Sequence, residues 1–120
     1  METFVWLCSM KEERKIKVYG RYFMDFYQGL DEGAKDKIDY VLDMLKTQDK
    51  VHIKFVKHIR DGVYEIRAEY SGNIYRVFFI FDDGNIVVLF NGFQKKSQKT
   101  PEKEIRQAIK LKEEYYGNKK

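Results

Sequence analysis

The segment from Val63 to Thr100 constrains the fold of this chain more than any other, because it reads as three strands joined by two tight turns. Its first run, VYEIRAEY, alternates apolar and polar residues, which is typical of a strand with one buried and one polar face. The next two runs, IYRVFFIF and IVVLFNGF, are apolar on both faces, which predicts central strands. Turn residues, SGN and DDGN, separate the runs. We therefore predict an antiparallel meander.

Two helices are predicted before the meander and one after it. Apolar residues spaced i, i+3, i+4 and i+7 from Phe23 to Leu30 form one stripe on a short helix, and a second helix follows from Ala34 to Leu45. Thr100-Pro101-Glu102 begins the last helix, with the threonine as N-cap and the proline at the first helical position. Residues 48–59 have no clear period, and we interpret them as a connector.

Composition indicates one globular domain. With 120 residues, of which 43% are hydrophobic and 16% aromatic, the chain is long enough to bury a core. The first ten residues carry an apolar patch too short for a signal sequence or a membrane span, and we interpret them as a short edge strand or an arm. We predict a further strand within Lys11 to Tyr19. The single cysteine, Cys8, excludes an intrachain disulfide and fits a cytoplasmic protein.

The excess positive charge lies in the last quarter of the chain. From Gln94 to Lys120 there are nine Lys or Arg residues and four Glu, whereas the remaining 93 residues carry 14 basic and 15 acidic residues. This asymmetry indicates a polyanionic partner. A solvated basic helix would give the same count, so both interpretations stay open at this point.

Two arginines interrupt the meander. Arg76 stands in the middle of IYRVFFIF, where an unpaired guanidinium would be costly to bury. One interpretation is an ion pair with Glu65 or Glu69 across the hairpin. The other is that Arg76 points out of the sheet and holds a phosphate, and Arg67 on the neighbouring strand has the same two interpretations. If the two guanidinium groups share a face, they form one anion site.

A lysine-rich loop follows the last strand of the meander. It contains Lys95, Lys96 and Lys99, and such clusters attract nucleic-acid backbone, although a solubilising surface turn has the same composition. Phe93, just before the loop, either packs in the core, as aromatic residues usually do, or stacks on a base.

The sequence disfavours the most familiar enzyme chemistries. His52 and His58 have no carboxylate or thiol at metal-ligand spacing, so we expect no metal site and no cofactor. The sequence also has no glycine-rich phosphate loop, no serine nucleophile motif and no dinucleotide fingerprint.

Taken together, these motifs resemble a known family. The run YEIR, then IYRVFFIF, then IVVLFNGFQKKSQKTPEKEI is similar in order and spacing to the phage-derived Gp49-like HigB branch of the RelE/ParE toxin superfamily. The resemblance runs from Tyr22 to Tyr116 and leaves residues 1–15 as an extension of a single domain, residues 1–120. It implies a RelE-like α+β fold, in which two N-terminal helices pack on a twisted antiparallel sheet that is followed by a C-terminal helix.

The resemblance also implies a function and a set of site residues. Such toxins bind the ribosomal 30S A site and cut messenger RNA during translation without a metal. On this interpretation Arg76 is the first choice for stabilising the phosphate, and Arg67 assists or braces it. Lys95 and Lys96 match the family's double lysine, where a cation contacts the scissile phosphate or ribosomal RNA. The remaining expected RNA-binding residues are Phe93, Lys99, Lys103 and Arg106.

Proton transfer stays unassigned on this resemblance. RelE has lysines where this chain has Val63 and Glu65, and the C-terminal tyrosine of RelE matches Tyr115 or Tyr116 only loosely. The expected partners are a cognate antitoxin with a helix-turn-helix domain, the ribosome and the message. The alternatives are a non-catalytic toxin of ParE type that binds and inhibits DNA gyrase, or an RNA-binding module that does not cleave.

Overall fold

The computed structural model describes residues 4–6, 13–83, 85–95 and 101–119. Within these residues the chain forms seven strands and three helices. In chain order they are β1 (Phe4–Trp6), β2 (Lys15–Val18), α1 (Tyr22–Gln28), α2 (Glu32–Thr47), β3 (Lys50–His52), β4 (Val56–Arg60), β5 (Val63–Tyr70), β6 (Asn73–Asp82), β7 (Ile86–Lys95) and α3 (Glu102–Asn118).

Five of the strands form one sheet in the order β2-β7-β6-β5-β4. The strands β4 to β7 are antiparallel neighbours, which confirms the meander and the central position of β6 and β7. The edge strand β2 instead runs parallel to β7, so the sheet is mixed rather than purely antiparallel. β1 and β3 form a separate antiparallel pair, which confirms a strand within the first ten residues.

The hairpins turn at residues that adopt positive φ. Ser71 and Gly72 have φ of 53° and 80°, and Asp61 and Gly62 have φ of 53° and 77°. Two central residues with positive φ match the twist of the flanking strands. The predicted turn at SGN is therefore confirmed, and Asp61-Gly62 forms a second turn of the same kind between β4 and β5.

The helices α1 and α2 cover one face of the sheet, as the two predicted N-terminal helices should. The Asp31 carboxylate accepts a hydrogen bond from the Ala34 N–H at 3.1 Å and caps α2. A Cβ on Gly92 of β7 would lie 2.5 Å from Cδ2 of Phe26, so glycine allows α1 to approach the sheet. The core on this face includes Phe23, Ala34, Ile38, Val41, Leu45, Ile66, Val77, Phe79 and Leu89.

The helix α3 covers the opposite face. Its apolar stripe packs on β5, β6 and β7, in a core that includes Val63, Phe78, Ile80, Val88, Phe90, Ile105, Ala108, Leu111 and Tyr115. Val63 and Glu65 are fully buried, so the prediction of a polar, open face on β5 is wrong for its first half. The N-cap of α3 is Pro101 rather than Thr100.

Residues 48–59 are not a simple connector, because they contain β3 and β4. Each strand has one buried valine, Val51 or Val56, among charged side chains, so the sequence shows no alternation of apolar and polar residues there. None of the helices in the described part of the chain is long and apolar enough to cross a membrane.

A buried arginine joins β2 to the end of α2. Arg14 is 1% exposed, and its Nη1 donates to the carbonyl oxygens of Leu45 at 2.7 Å and Gln48 at 2.6 Å. The last carbonyl groups of a helix have no partner within the helix. Arg14 therefore satisfies the C-terminus of α2 and fixes the strand that runs parallel to β7.

Candidate functional site

The register of the meander brings the two arginines side by side. Arg67 on β5 lies opposite Arg76 on β6, and Arg76 lies opposite Phe93 on β7. Directly opposed residues point to the same face of a sheet, and here this is the face that α3 covers. The hypothesis that the two guanidinium groups share a face is confirmed. Two opposed cations repel each other, so the pair requires a counter-charge.

Glu65 supplies that counter-charge. Its Oε1 accepts a hydrogen bond from Nε of Arg67 at 2.8 Å and another from Nη1 of Arg76 at 2.8 Å. Glu69, the other candidate, is exposed at the end of β5. The three side chains Arg67, Glu65 and Arg76 form what we call the arginine triad, with two positive charges and one negative charge.

Burial differs sharply within the arginine triad. The side chains of Glu65 and Arg76 are 0% exposed, whereas that of Arg67 is 18% exposed. Arg76 therefore lies inside the protein and Arg67 lies at its rim. Removing one partner of a buried ion pair leaves an uncompensated charge, so Glu65 holds both arginines in place.

The residues expected at the end of β7 and in the loop after it have three different outcomes. The ring of Phe93 is stacked on that of Phe78, with centroids 5.7 Å apart and planes at 29°, so it packs in the α3 core. The backbone of Lys95 lies opposite Ile74, two residues along β6 from Arg76. Lys96 and Lys99 lie outside the described residues.

The two cations expected on α3 are exposed near its N-terminus. Nε of Arg106 lies 3.3 Å from Glu102, which also binds the guanidinium of Arg60 on β4. Arg60 is the main cause of the lowered pKa of Glu102. Lys103 is exposed beside them. This cluster connects α3 to β4, and Arg60 was missed because its segment had no assigned period.

Tyr115 lies at the other end of the same face. Its hydroxyl donates to Oδ2 of Asp82, and Oδ1 of the same carboxylate accepts a hydrogen bond from Nζ of Lys119 at 3.0 Å. The Tyr115 hydroxyl is the largest cause of the lowered pKa of Asp82. Asp82 lies six residues along β6 from Arg76, a distance of about 20 Å along a strand. Tyr115 therefore does not join the arginine triad.

No group of three His, Cys, Asp or Glu side chains in the described ranges is arranged to hold a metal ion. The two histidines have other neighbours. Nδ1 of His52 accepts a hydrogen bond from the Lys54 N–H at 3.1 Å, and the His58 ring lies edge to face with Tyr64.

This fold is RelE-like. The solved structure "Crystal structure of archaeal RelE-RelB complex from Pyrococcus horikoshii OT3" matches it with a TM-score of 0.50 at 14% identity, covering 72% of this chain and 99% of that chain. The chain belongs to the family described as "Phage derived protein Gp49-like (DUF891)", whose profile matches residues 25–113. No curated protein matches the sequence. The resemblance to the Gp49-like family and the expected RelE-like fold are thus confirmed.

Proposed function

We propose that this protein is the toxin of a type II toxin–antitoxin system and stops translation by cutting messenger RNA on the ribosome. Membership of the Gp49-like family and the RelE-like fold support the toxin assignment. The observation that carries the RNA assignment is the arginine triad, which has one more positive than negative charge beside the backbone of Lys95. An excess of positive charge on a rigid sheet suits a phosphate ligand.

The chemistry proposed is transfer of a phosphodiester within the RNA itself. The ribose 2′-oxygen forms a bond to the adjacent phosphorus and loses its proton, while the bond from phosphorus to the 5′-oxygen breaks. That 5′-oxygen takes up a proton and leaves as a hydroxyl, and a 2′,3′-cyclic phosphate or its opened product remains. The step requires cations that stabilise the charge on the phosphorane, and it requires no redox reagent.

The geometry suggests different roles for the two arginines. Arg67 is partly exposed and is the better candidate for direct contact with the phosphate. Arg76 is fully buried, so its direct contact with a phosphate would need its ion pair with Glu65 to open. We infer that Arg76 positions Glu65, and through it Arg67. Lys95 and Lys96 remain the proposed second source of positive charge, and the proton acceptor is unassigned.

Cell-free translation tests this proposal. The protein is added to a translation reaction, and cuts in the message are mapped by primer extension with and without ribosomes. We expect cuts only on translating ribosomes, and we expect Arg67→Ala and Lys95→Ala to reduce the rate of cleavage about 100-fold or more, as loss of a charge-stabilising donor does elsewhere. Arg21→Ala, which removes an exposed arginine at the N-cap of α1, on the side of the sheet opposite α3, is the control.

The role of Arg76 is tested by comparing the cleavage rates of single and double variants. If Arg76 only positions Arg67, Arg76→Ala and Arg67→Ala should slow the cleavage step alike, and combining them should add little. If Arg76 also contacts the phosphate, the double variant should be much slower than either single variant. Intact message with all variants and with the unchanged protein would contradict the nuclease proposal.

The burial of Arg76 favours a second candidate function, in which the toxin binds its target without cleaving it. A fully buried arginine paired with glutamate is also what an arginine with a purely structural role looks like, and such an arginine does not take part in cleavage. On this candidate the target is RNA or, as for ParE-type toxins, DNA gyrase. Intact message together with blocked supercoiling in a gyrase assay would select gyrase. Binding of ribosomes without cuts would select the RNA-binding module.

The proposed partner is a cognate antitoxin with a helix-turn-helix domain. The structure with the same fold is described as a RelE-RelB complex, which supports the existence of such a partner for this chain. The test is co-expression with the product of an adjacent gene that encodes a small helix-turn-helix protein. We expect the two proteins to purify together and the cleavage to disappear. Separate elution would contradict this pairing.

A further inference from the structure

A groove lies at the edge of the main sheet, beside Arg67, which is the exposed member of the arginine triad. It has a volume of about 830 Å³ and runs between α2 and the last part of β5. Its lining includes Tyr40 of α2, Phe55 from the connection between β3 and β4, and four consecutive residues of β5, from Arg67 to Tyr70. A strand contributes consecutive residues to a groove where its edge is accessible, since alternate side chains point to opposite faces.

The edge of β5 is open in this groove. The pairing of β4 with β5 ends with Val56 opposite Ile66, and beyond it the Arg67 N–H donates to the carbonyl of Phe55 at 2.7 Å. Alternate residues of an antiparallel strand direct their backbone groups to the same neighbour. The N–H and C=O of Glu69 therefore point to the same side as those of Arg67, where the described part of the chain provides no further strand.

Two aromatic side chains form the walls of the groove. Tyr40 is 56% exposed, and its ring meets Phe55 edge to face with centroids 6.1 Å apart. Tyr70 is 36% exposed and lies directly on Gly33, where a Cβ would overlap the ring. An exposed tyrosine on the polar side of a helix is available to hold an apolar side chain of a ligand.

The charges at the groove favour a peptide over a nucleic acid. Lys37 and Lys54 contribute cations, and Asp36 and Glu69 contribute carboxylates, whereas the guanidinium of Arg67 is already bound to Glu65. The two carboxylates oppose a run of phosphates, while either lysine can pair with a single carboxylate of a ligand. An open strand edge offers hydrogen bonds that match a peptide backbone.

We propose that this groove binds an extended peptide segment of a partner protein, which adds to β5 beyond the end of β4. The segment places an apolar side chain between Tyr40 and Tyr70 and an acidic residue beside it, near Lys37 or Lys54. The groove shares Arg67 with the proposed nuclease site, but the binding of a peptide requires no cleavage chemistry and does not depend on it. A test without ribosomes or message therefore separates the failure of one proposal from the failure of the other.

The test begins with a displayed library of random ten-residue peptides, selected on the intact protein. Enriched peptides are synthesised with a fluorescent label, and their affinity is measured by anisotropy for Glu69→Pro and for Glu69→Ala. Proline removes the outward N–H of residue 69 but no hydrogen bond to β6, whereas alanine keeps that N–H. We expect binding about tenfold weaker to the proline variant than to the alanine variant, as loss of one hydrogen bond implies.

A second pair of variants tests the aromatic wall. Tyr40→Ala should weaken peptide binding at least about tenfold, since a buried aromatic contact is lost. Tyr22→Ala, which removes a tyrosine of 40% exposure on α1, should leave binding unchanged. Circular dichroism with all four variants confirms that each is folded.

The proposal predicts that the enriched peptides carry an acidic residue next to a large apolar one. It is overturned if the library gives no enrichment, or if the enriched peptides bind the Glu69→Pro and Glu69→Ala variants equally. It is also overturned if a twelve-nucleotide oligouridylate binds more tightly than any peptide and loses its affinity with Tyr40→Ala, because the groove would then be a nucleic-acid site.

Discussion

Two carboxylates are buried on the face that α3 covers, Glu65 on β5 opposite the middle of β6 and Asp82 at the end of β6, and the charge around them differs. Glu65 binds two guanidinium groups, so its cluster keeps a net positive charge. Asp82 binds the hydroxyl of Tyr115 and the ammonium of Lys119, so its cluster is neutral. Both clusters satisfy a buried carboxylate, but the three side chains of the first sum to one positive charge, whereas the charged side chains of the second cancel.

The difference separates a binding function from a structural one. A neutral cluster at the end of α3 fixes the helix to β6 and needs nothing further. A cluster with excess positive charge at the rim of the protein is stabilised when an anion arrives. The comparison therefore supports the arginine triad, rather than the tyrosine cluster, as the place where RNA would bind.

Of the changes at the two buried carboxylates, Glu65→Ala is expected to have the largest effect on the free energy of unfolding. This change leaves two opposed guanidinium groups without their shared carboxylate, so we expect a loss of about 3–5 kcal/mol in the free energy of unfolding. Urea denaturation followed by circular dichroism measures it. The combined variant Glu65→Ala with Arg76→Met should recover part of the loss, because the most deeply buried charge is then gone. Equal stability of the two variants would contradict the ion pair.

The second largest loss of stability is expected from Asp82→Asn. We expect a loss of about 1.5–3 kcal/mol at neutral pH, the usual contribution of hydrogen bonds to a charged group. The folded-state pKa of Asp82 is below its ordinary value of 3.8. Its contribution is therefore complete above about pH 4 and is lost as the pH falls through the folded-state pKa. Unfolding at pH 2 to 7 should show a smaller acid-induced loss for Asp82→Asn than for the unchanged protein.

The sequence was enough to predict the order of the main elements, since periodicity and turn residues recur within each one. It left open whether the two arginines share one face, because that depends on the register of the hairpin, which pairs Arg67 with Arg76. The choice between Glu65 and Glu69 was not predictable. Each lies two residues along β5 from Arg67, the residue opposite Arg76, so both are equally near to Arg76 in sequence terms. Only the packing of α3 and the core decides which one is buried.

Other features depended on contacts distant in sequence. The parallel pairing of β2 with β7 and the burial of Arg14 against the end of α2 involve partners more than 30 residues away. The groove at β5 arises because β4 is shorter than its neighbour, and strand ends in a charged segment have no local signal. Tyr40 gave one hint, as an aromatic residue on the polar side of its helix.

The third effect is that of Arg67→Met, which we expect to cost about 1 kcal/mol in the free energy of unfolding. The side chain is partly solvated, and Glu65 keeps its bond to Arg76 after the change. The same variant should reduce cleavage strongly, so stability and activity separate at this residue. A large loss of stability with little loss of activity would reverse the roles inferred for Arg67 and Arg76. Thermal unfolding and primer extension measure the two quantities on one preparation.

The smallest effect is expected from Lys119→Ala at the neutral cluster. The Lys119 side chain is 43% exposed, and the Tyr115 hydroxyl, which is the larger cause of the lowered pKa of Asp82, stays in place. The pKa of Asp82 should rise only part of the way to its ordinary value, and the urea midpoint at neutral pH should change less than with Asp82→Asn. Carboxyl-detected NMR titration measures the pKa. If Lys119→Ala shifted the pKa of Asp82 as far as Tyr115→Phe does, the Asp82 cluster would depend on an ion pair as the arginine triad does, and the contrast between the two clusters would disappear.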